Sequence, residues 1–260
     1  MYKTIAAASL LLAAPALAAP VDLSSWQADN YGGANWTVQN APANDSVFQS
    51  VNGNPTIFFE AGSLAQGTTL SGEITVETSA DDDFIGFVLG YSDDEINAAN
   101  ADFILVDWKQ GTQNFGGSTG NAGLAASRIS GDLTSVDLID TYWGHDAGSN
   151  AFEIQRGTNL GATGWNDNQT YTFDIVFTNS LIEVMVDGVL ELSFTAADAG
   201  LASFDDGAFG FYNYSQQSVR YAGIEEGVAP DPDPQPVPAP GALGLLGLGV
   251  LALAARRRRS

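Results

Sequence analysis

Three consecutive acids, Asp81, Asp82 and Asp83, stand directly before an apolar run that begins at Phe84. Carboxylates this close repel one another unless water or a cation screens them. Calcium takes six to eight oxygen ligands, and carboxylates beside backbone carbonyls at a strand end can supply several. Alternate residues of an extended chain point to opposite sides, so the three acids could serve one ion or two. A solvated turn is the competing interpretation of the same residues.

A fourth acid, Asp107, lies inside an apolar run between Val106 and Trp108. An acid in such a place needs a partner, because an unpaired buried charge is costly. The partner could be a bound cation, Lys109 or Arg128. We therefore treat Asp107 as a weaker candidate ligand for the same metal.

Aromatic side chains could form a sugar-binding surface, since flat rings stack on the faces of pyranose rings. The candidates are Tyr142, Trp143, Trp165, Tyr212 and Tyr214. Packing in the core is the alternative for each of them, because large aromatic residues at a period of two usually face the interior.

Catalytic chemistry finds little support in the sequence. His145 is the only histidine, and no serine lies in a pattern that resembles a nucleophile elbow, so we expect His145 to be an ordinary loop residue. A glycoside hydrolase needs two carboxylates that face each other across a cleft. Acids are abundant enough to form such a pair, although no tight alternating block of Glu and Asp is present. A secreted glycoside hydrolase is therefore kept as the alternative function.

The segments that must position these residues have the pattern of short strands. Residues 69–77 alternate between apolar and polar types, as a half-buried strand does. Asp187 and Gly188 separate two further alternating segments, which predicts a hairpin because both residue types tolerate positive φ. The remaining predicted strands are 84–91, 103–108, 171–177, 181–186, 189–194, 209–214 and 219–224. Helical periodicity is nearly absent, so the sequence predicts an all-β antiparallel sandwich.

Charge and composition narrow the classes of partner. The chain of 260 residues has 31 acidic and 9 basic residues and a formal net charge of −22. Away from the two ends, the basic residues are Lys109, Arg128, Arg156 and Arg220. Such a surface repels phosphate backbones, which argues against nucleic-acid binding, and attracts cations. The chain has no cysteine, so disulfides and thiolate metal sites are excluded.

Both ends have the pattern of processing signals. Residues 1–18 combine Lys3, an apolar stretch and Ala16-Leu17-Ala18, which predicts a signal peptide, with a plain membrane helix as the alternative. Residues 229–240 form a proline-rich linker that favours an extended spacer. Residues 241–255 carry no charge and meet four arginines. A helix of this length covers about 22 Å, and snorkelling arginines could extend it towards the thickness of a bilayer. We therefore predict a single transmembrane helix with the arginines in the cytoplasm.

The C-terminal residues 237–260 resemble the PEP-CTERM class of bacterial sorting signals. The resemblance consists of a proline motif, a short apolar helix and a terminal arginine cluster, in that order. The motif is a VPxPG-type variant formed by Val237, Pro238, Ala239, Pro240 and Gly241. In that class an exosortase-type enzyme cuts near the motif and releases or re-anchors the protein. The resemblance implies such an enzyme as a partner and a membrane-bound stage before processing.

Residues 21–228 form the predicted domain, and most of it resembles the thrombospondin C-terminal domain. The resemblance is carried in order by segments 81–91 and 103–110, Gly123-Leu124, Gly164-Trp165, segment 207–211 and Ser215-Gln216. It implies a lectin-like jelly-roll sandwich of the concanavalin or L-type lectin kind, with calcium binding and extracellular adhesion. The calcium-rich Asp repeats, the cysteines and the Arg-Gly-Asp motif of animal thrombospondins are absent, so their animal partners should not be carried over.

These observations together lead to one expectation and two rivals. We expect an exported, non-catalytic, calcium-binding module for adhesion or matrix binding, held at the membrane, at the cell surface or outside the cell. Surface polysaccharide or matrix is the expected ligand class. The rivals are the secreted hydrolase and a passive coat component without a specific ligand.

Overall fold

The computed structural model of this protein describes residues 18–230. The predicted signal peptide, nearly all of the proline-rich linker, the sorting motif and the predicted helix at 241–255 lie outside these residues. Between residues 18 and 230, no helix is both long enough and apolar enough to cross a membrane.

The described residues form a β-structure with three short helical turns. The turns are Leu23–Ser25, Glu95–Asn97 and a wide turn at Ile139–Trp143. The strands are β1 (Ala19–Pro20), β2 (Gln27–Asn30), β3 (Trp36–Gln39), β4 (Ser46–Gln49), β5 (Thr56–Phe59), β6 (Thr68–Val76), β7 (Phe84–Tyr91), β8 (Ala101–Lys109), β9 (Gln113–Phe115), β10 (Ser118–Gly120), β11 (Gly123–Gly131), β12 (Ala151–Arg156), β13 (Thr170–Phe177), β14 (Leu181–Val186), β15 (Val189–Thr195), β16 (Ala208–Tyr214) and β17 (Val219–Val228).

The strands form two large antiparallel sheets and one small ribbon. The first sheet has the order β15-β14-β13-β6-β17-β4-β3, and β1 pairs with β17. The second sheet has the order β12-β11-β8-β7-β16-β5-β2, and β9 and β10 form the ribbon. The prediction of an all-β antiparallel sandwich is confirmed, whereas the finer assignment to the concanavalin type stays a prediction.

Every strand predicted from the sequence is present, with ends shifted by at most a few residues. The hairpin between β14 and β15 turns at Asp187 and Gly188, whose φ angles are +50° and +73°. These left-handed values explain why the sequence has Asp-Gly there. The strands before residue 68 and the strands β9 to β12 are additional to the predicted ones, and all but β11 and β12 span only two to four residues.

The central strands of the second sheet are buried on both faces. Its inner face packs against the first sheet through residues such as Phe87 and Val106, which belong to the main core. Its outer face bears a second core that includes Val88 and Leu105. Residues 132–150, which we call the covering segment, lie over this outer face and contribute Tyr142 and Trp143 to it. All eight residues of β7 are therefore buried, which explains its unbroken apolar sequence.

Candidate functional site

The three consecutive acids lie together at the start of β7. One carboxylate oxygen from each of Asp81, Asp82 and Asp83 lies within 4.8 Å of the others. Two loops fix the backbone here. Gln216 Oε1 accepts a hydrogen bond from the Asp83 amide at 2.9 Å, and Trp165 Nε1 donates to the Asp83 carbonyl at 3.1 Å. Long-range contacts thus fix the backbone at Asp83, the last of the three acids.

Lys109, at the end of β8, is the basic partner of this cluster. It pairs with Phe84 across the two strands, and its side chain is fully buried. The ammonium forms an ion pair with Asp83, lies 3.5 Å from a carboxylate oxygen of Asp82 and donates to the Asp82 carbonyl at 3.1 Å. It also lies 4.6 Å from the ring centre of Trp143. Lys109 therefore neutralises the inner side of the cluster.

Asp81 is on the outer, partly exposed side of the cluster. Asn52 Nδ2 donates a hydrogen bond to its carboxylate. Burial, followed by repulsion from the Asp83 carboxylate, raises the pKa of Asp81 to about 6. The ionised form of Asp81 is thus disfavoured without a cation, and a hard divalent ion would relieve the repulsion. Carboxylate oxygens are a donor type that calcium prefers, so the three acids fit this ion.

The acids open into a cleft of about 460 Å³. Phe115, on the β9–β10 ribbon, is 52% exposed at its rim, and Trp143 and Tyr214 form a nearly buried floor. The full lining consists of Asn52, Gly53, Asn54, Asp81, Asp83, Gln113, Phe115, Trp143, Tyr214 and Ser215. The cleft therefore combines carboxylates, amides and aromatic rings.

Only two of the five predicted aromatic contacts line this cleft, namely Trp143 and Tyr214. The prediction is wrong for the other three, which are buried in packed cores. Trp165 lies between the sheets, and Tyr142 and Tyr212 lie in the second core. Core packing, the alternative interpretation, therefore holds for these three residues. Phe115 was missed, although its position between Asn114 and Gly116 is unusual for a core residue.

Asp107 does not join the acidic cluster. It lies on β8 with its side chain 2% exposed, and its Oδ2 atom is 3.2 Å from Nε2 of His145. The expected alternatives, Lys109 and Arg128, pair with other acids: Lys109 with Asp83, and Arg128 with Asp102. His145 does lie in a loop, as expected, but its side chain is nearly buried against β8 and β11, which the sequence did not indicate.

Ser127, His145 and Asp107 have the residue types of a catalytic triad but not its accessibility. Ser127 Oγ lies 3.5 Å from Nδ1 of His145, and Ser127 is fully buried. The cavity beside His145 and Asp107 has a volume of about 10 Å³, room for one water molecule. A substrate carbonyl therefore cannot reach the serine hydroxyl in this structure.

Comparison with known proteins identifies the family of the sandwich. The sequence profile of the thrombospondin C-terminal region matches residues 32–227. The chain belongs to this family. The profile of the PEP-CTERM protein-sorting motif matches residues 236–259. These residues lie outside the part of this thrombospondin C-terminal family member that the structure describes. Both resemblances seen in the sequence are confirmed.

Individual relatives are distant. Thrombospondin-3b of Danio rerio is 34% identical over 82 residues, which make up 31% of this chain and 8% of that protein. The carbohydrate-binding module CBM66 of Bacillus subtilis superposes with a TM-score of 0.52 at 10% identity, covering 78% of this chain and 95% of the module. A Bacillus subtilis protein with a galectin-like fold gives a TM-score of 0.47 at 10% identity, with coverages of 84% and 98%. The CBM66 match shows a shared fold, and the matched segment spans less than a tenth of the thrombospondin.

Proposed function

We propose that this protein is an exported, non-catalytic adhesion or matrix-binding module whose cleft binds glycans with the help of calcium. The observation that carries the proposal is the convergence of Asp81, Asp82 and Asp83 beside a cleft with an aromatic floor. The shared fold with a carbohydrate-binding module and membership of the thrombospondin C-terminal family support the same class of function.

Calcium would occupy the outer side of the acidic cluster. Lys109 already neutralises the inner side, so Asp81 and the free oxygens of Asp82 and Asp83 are the groups left to hold an ion. Water would complete the six to eight ligands. An ion that binds only the folded chain stabilises it by mass action.

The charges near the cleft favour a neutral glycan as the ligand. Each of the four basic residues in the described domain pairs with an acid: Lys109 with Asp83, Arg128 with Asp102, Arg156 with Glu153, and Arg220 with Glu77. Sulfated or uronate-rich polymers would therefore find no unpaired lysine or arginine within residues 18–230, and the acidic surface would repel them.

The arrangement of acids argues against the rival hydrolase. Both acids that line the cleft, Asp81 and Asp83, come from one segment, and the other lining residues are uncharged. Asp83 is also held by the Lys109 ammonium. A hydrolase needs two carboxylates about 5–9.5 Å apart on opposite sides of a bond, one of them able to give a proton.

The sorting motif at residues 236–259 supports the proposed cellular setting. An exosortase-type enzyme would process the chain after export, and a membrane-bound stage would precede that step. The processed domain would then face surface polysaccharide or matrix.

Thermal melting and a glycan array test the proposal on the full chain. We expect calcium to raise the melting temperature, a chelator to reverse this, and neutral glycans to be bound only with calcium. Asp81→Asn should lose both effects, whereas Glu225→Gln, which removes an exposed acid from the other sheet, should keep them. An unchanged melting temperature would remove the calcium role, and an array without signal would favour a passive coat component. Release of reducing sugar from a bound glycan would instead support the alternative function, a glycoside hydrolase.

A further inference from the structure

The floor of the cleft depends on the position of one tryptophan. Trp143 lies in the wide turn of the covering segment, and its indole nitrogen donates to the Gln113 carbonyl at 3.3 Å. Its ring lies 5.5 Å from that of Phe84 and 5.2 Å from that of Phe115. A shift of the turn would therefore move the floor and the exposed rim together.

His145 fixes the chain two residues after this tryptophan. The residue has a φ of +50°, a left-handed value that is uncommon outside glycine. Its Nε2 atom lies 3.2 Å from Asp107 Oδ2 and its Nδ1 atom lies 3.5 Å from Ser127 Oγ. The intervening Gly144 has no room for a side chain, because a Cβ there would lie 2.7 Å from that of Ser118. The link from His145 to Trp143 is thus short and tightly packed.

Asp107 depends on His145 for a counter-charge. Within residues 18–230, its Oδ2 atom has no hydrogen-bond donor in good geometry, although the imidazole faces it at ion-pair distance. The nearest lysine along the strand, Lys109, is engaged by Asp82 and Asp83. A buried carboxylate without a positive partner is strongly unfavourable.

We propose that the ion pair between His145 and Asp107 fastens the covering segment to β8 and thereby holds Trp143 in the floor of the cleft. His145 is then a positioning residue for the ligand, which it does not touch. As far as ligand binding is concerned, this inference rests on the proposed function. The position of Trp143 itself can be measured without any ligand.

The charge balance gives the pair a pH dependence. Burial lowers the pKa of His145 and the Asp107 carboxylate raises it, with a net upward direction. On β12, Glu153 raises this pKa and Arg156 lowers it. Burial and then the Asp107 carboxylate raise the pKa of the Tyr212 phenol on β16, so this phenol stays neutral and adds no charge beside the pair. Because the pKa is raised on folding, the stabilisation is complete below the ordinary histidine pKa and is lost as pH rises through the folded value.

The test uses the single histidine and the five tryptophans of the chain. Proton NMR of the full chain gives one histidine titration curve without any assignment. Incorporation of 5-fluorotryptophan gives a fluorine spectrum in which Trp143→Phe identifies the Trp143 resonance. We expect this resonance to shift with the same pH midpoint as His145. A Trp143 resonance that stays constant while His145 titrates would overturn the proposal.

Variants separate positioning from general stability. His145→Gln has no titrating imidazole, so its Trp143 resonance should lose the transition at the histidine midpoint and keep only the shift caused by Asp81 near pH 6. Ser127→Ala, which alters the other contact of the imidazole, should keep the response. Asp81→Asn should lose the calcium effect and keep the pH response of Trp143, so the two proposals can fail independently. Retention of the transition at the histidine midpoint in His145→Gln would contradict the role of the pair.

Discussion

At the scale of single residues, the acidic cluster is a balance between one buried cation and three carboxylates. Lys109 stabilises Asp83 and Asp82 from the inside, while Asp81 stays on the partly exposed side. The two sides therefore respond differently to substitution. Removal of the inner charge should disturb folding, and removal of the outer charge should disturb cation binding.

Asp81→Asn should stabilise the protein in chelator at alkaline pH. The pKa of Asp81 is raised from 3.8 to about 6 in the folded chain. The protonated Asp81 carboxyl therefore contributes fully to the stability of the folded chain below pH 3.8, and this contribution is lost as pH rises through about 6. Melting curves in chelator should coincide for the variant and the natural chain near pH 4 and separate at pH 8, with the variant melting higher. A lower melting temperature of the variant at pH 8 would contradict the repulsion between Asp81 and Asp83.

Lys109→Met should destabilise the folded chain by about 3–5 kcal/mol, the usual cost when one partner of a buried ion pair is removed. Denaturant unfolding measures the change. The double variant Lys109→Met with Asp83→Asn is the matched control, because it also removes the stranded charge. We expect the double variant to be more stable than Lys109→Met alone, and strictly additive losses would show that the pair is not coupled.

At the scale of elements, loops from distant parts of the chain fix the start of β7. Residues 164–165 bring the Trp165 indole to the carbonyls of Asp83 and Trp108, and residue 216 binds the Asp83 amide. The covering segment adds Trp143 from above. The site is therefore assembled by packing between elements that are far apart in sequence.

Gly164→Ala should loosen this assembly. A Cβ at residue 164 would lie 1.9 Å from the carbonyl oxygen of Gln110, so the loop that carries Trp165 must move. We expect a loss of about 1–3 kcal/mol in unfolding free energy, the usual range for overpacking, together with weaker calcium stabilisation. Gly200→Asn is the control, since its surroundings are open and asparagine tolerates its φ of +73°. Equal stability of the two variants would show that the close approach at residue 164 does not matter.

At the scale of the whole molecule, a net charge of −22 opposes compaction wherever it is not screened. Ions can act on such a chain in two ways: general screening by salt, and binding at one site. The two effects must be separated before calcium is assigned a specific role.

Sodium chloride in chelator should raise the melting temperatures of the natural chain and of Asp81→Asn by similar amounts, because screening acts on the whole surface. Calcium added at a constant, moderate ionic strength should then stabilise only the natural chain. Melting curves over a salt series and a calcium series measure both effects. Equal stabilisation of both chains by calcium would reduce its action to screening.

The amino-acid sequence alone determined the all-β class, the main strands, the family and the acidic character of this protein. These properties depend on local alternation, turn residues and composition, which are visible along the chain. Tertiary structure alone decided that Lys109 pairs with Asp83, that His145 pairs with Asp107, and that Phe115 reaches the cleft. The reason is that strand register and the covering segment bring together residues distant in the chain. Both faces of the central strands of the second sheet are buried, so apolar spacing could not separate cleft aromatics from core aromatics.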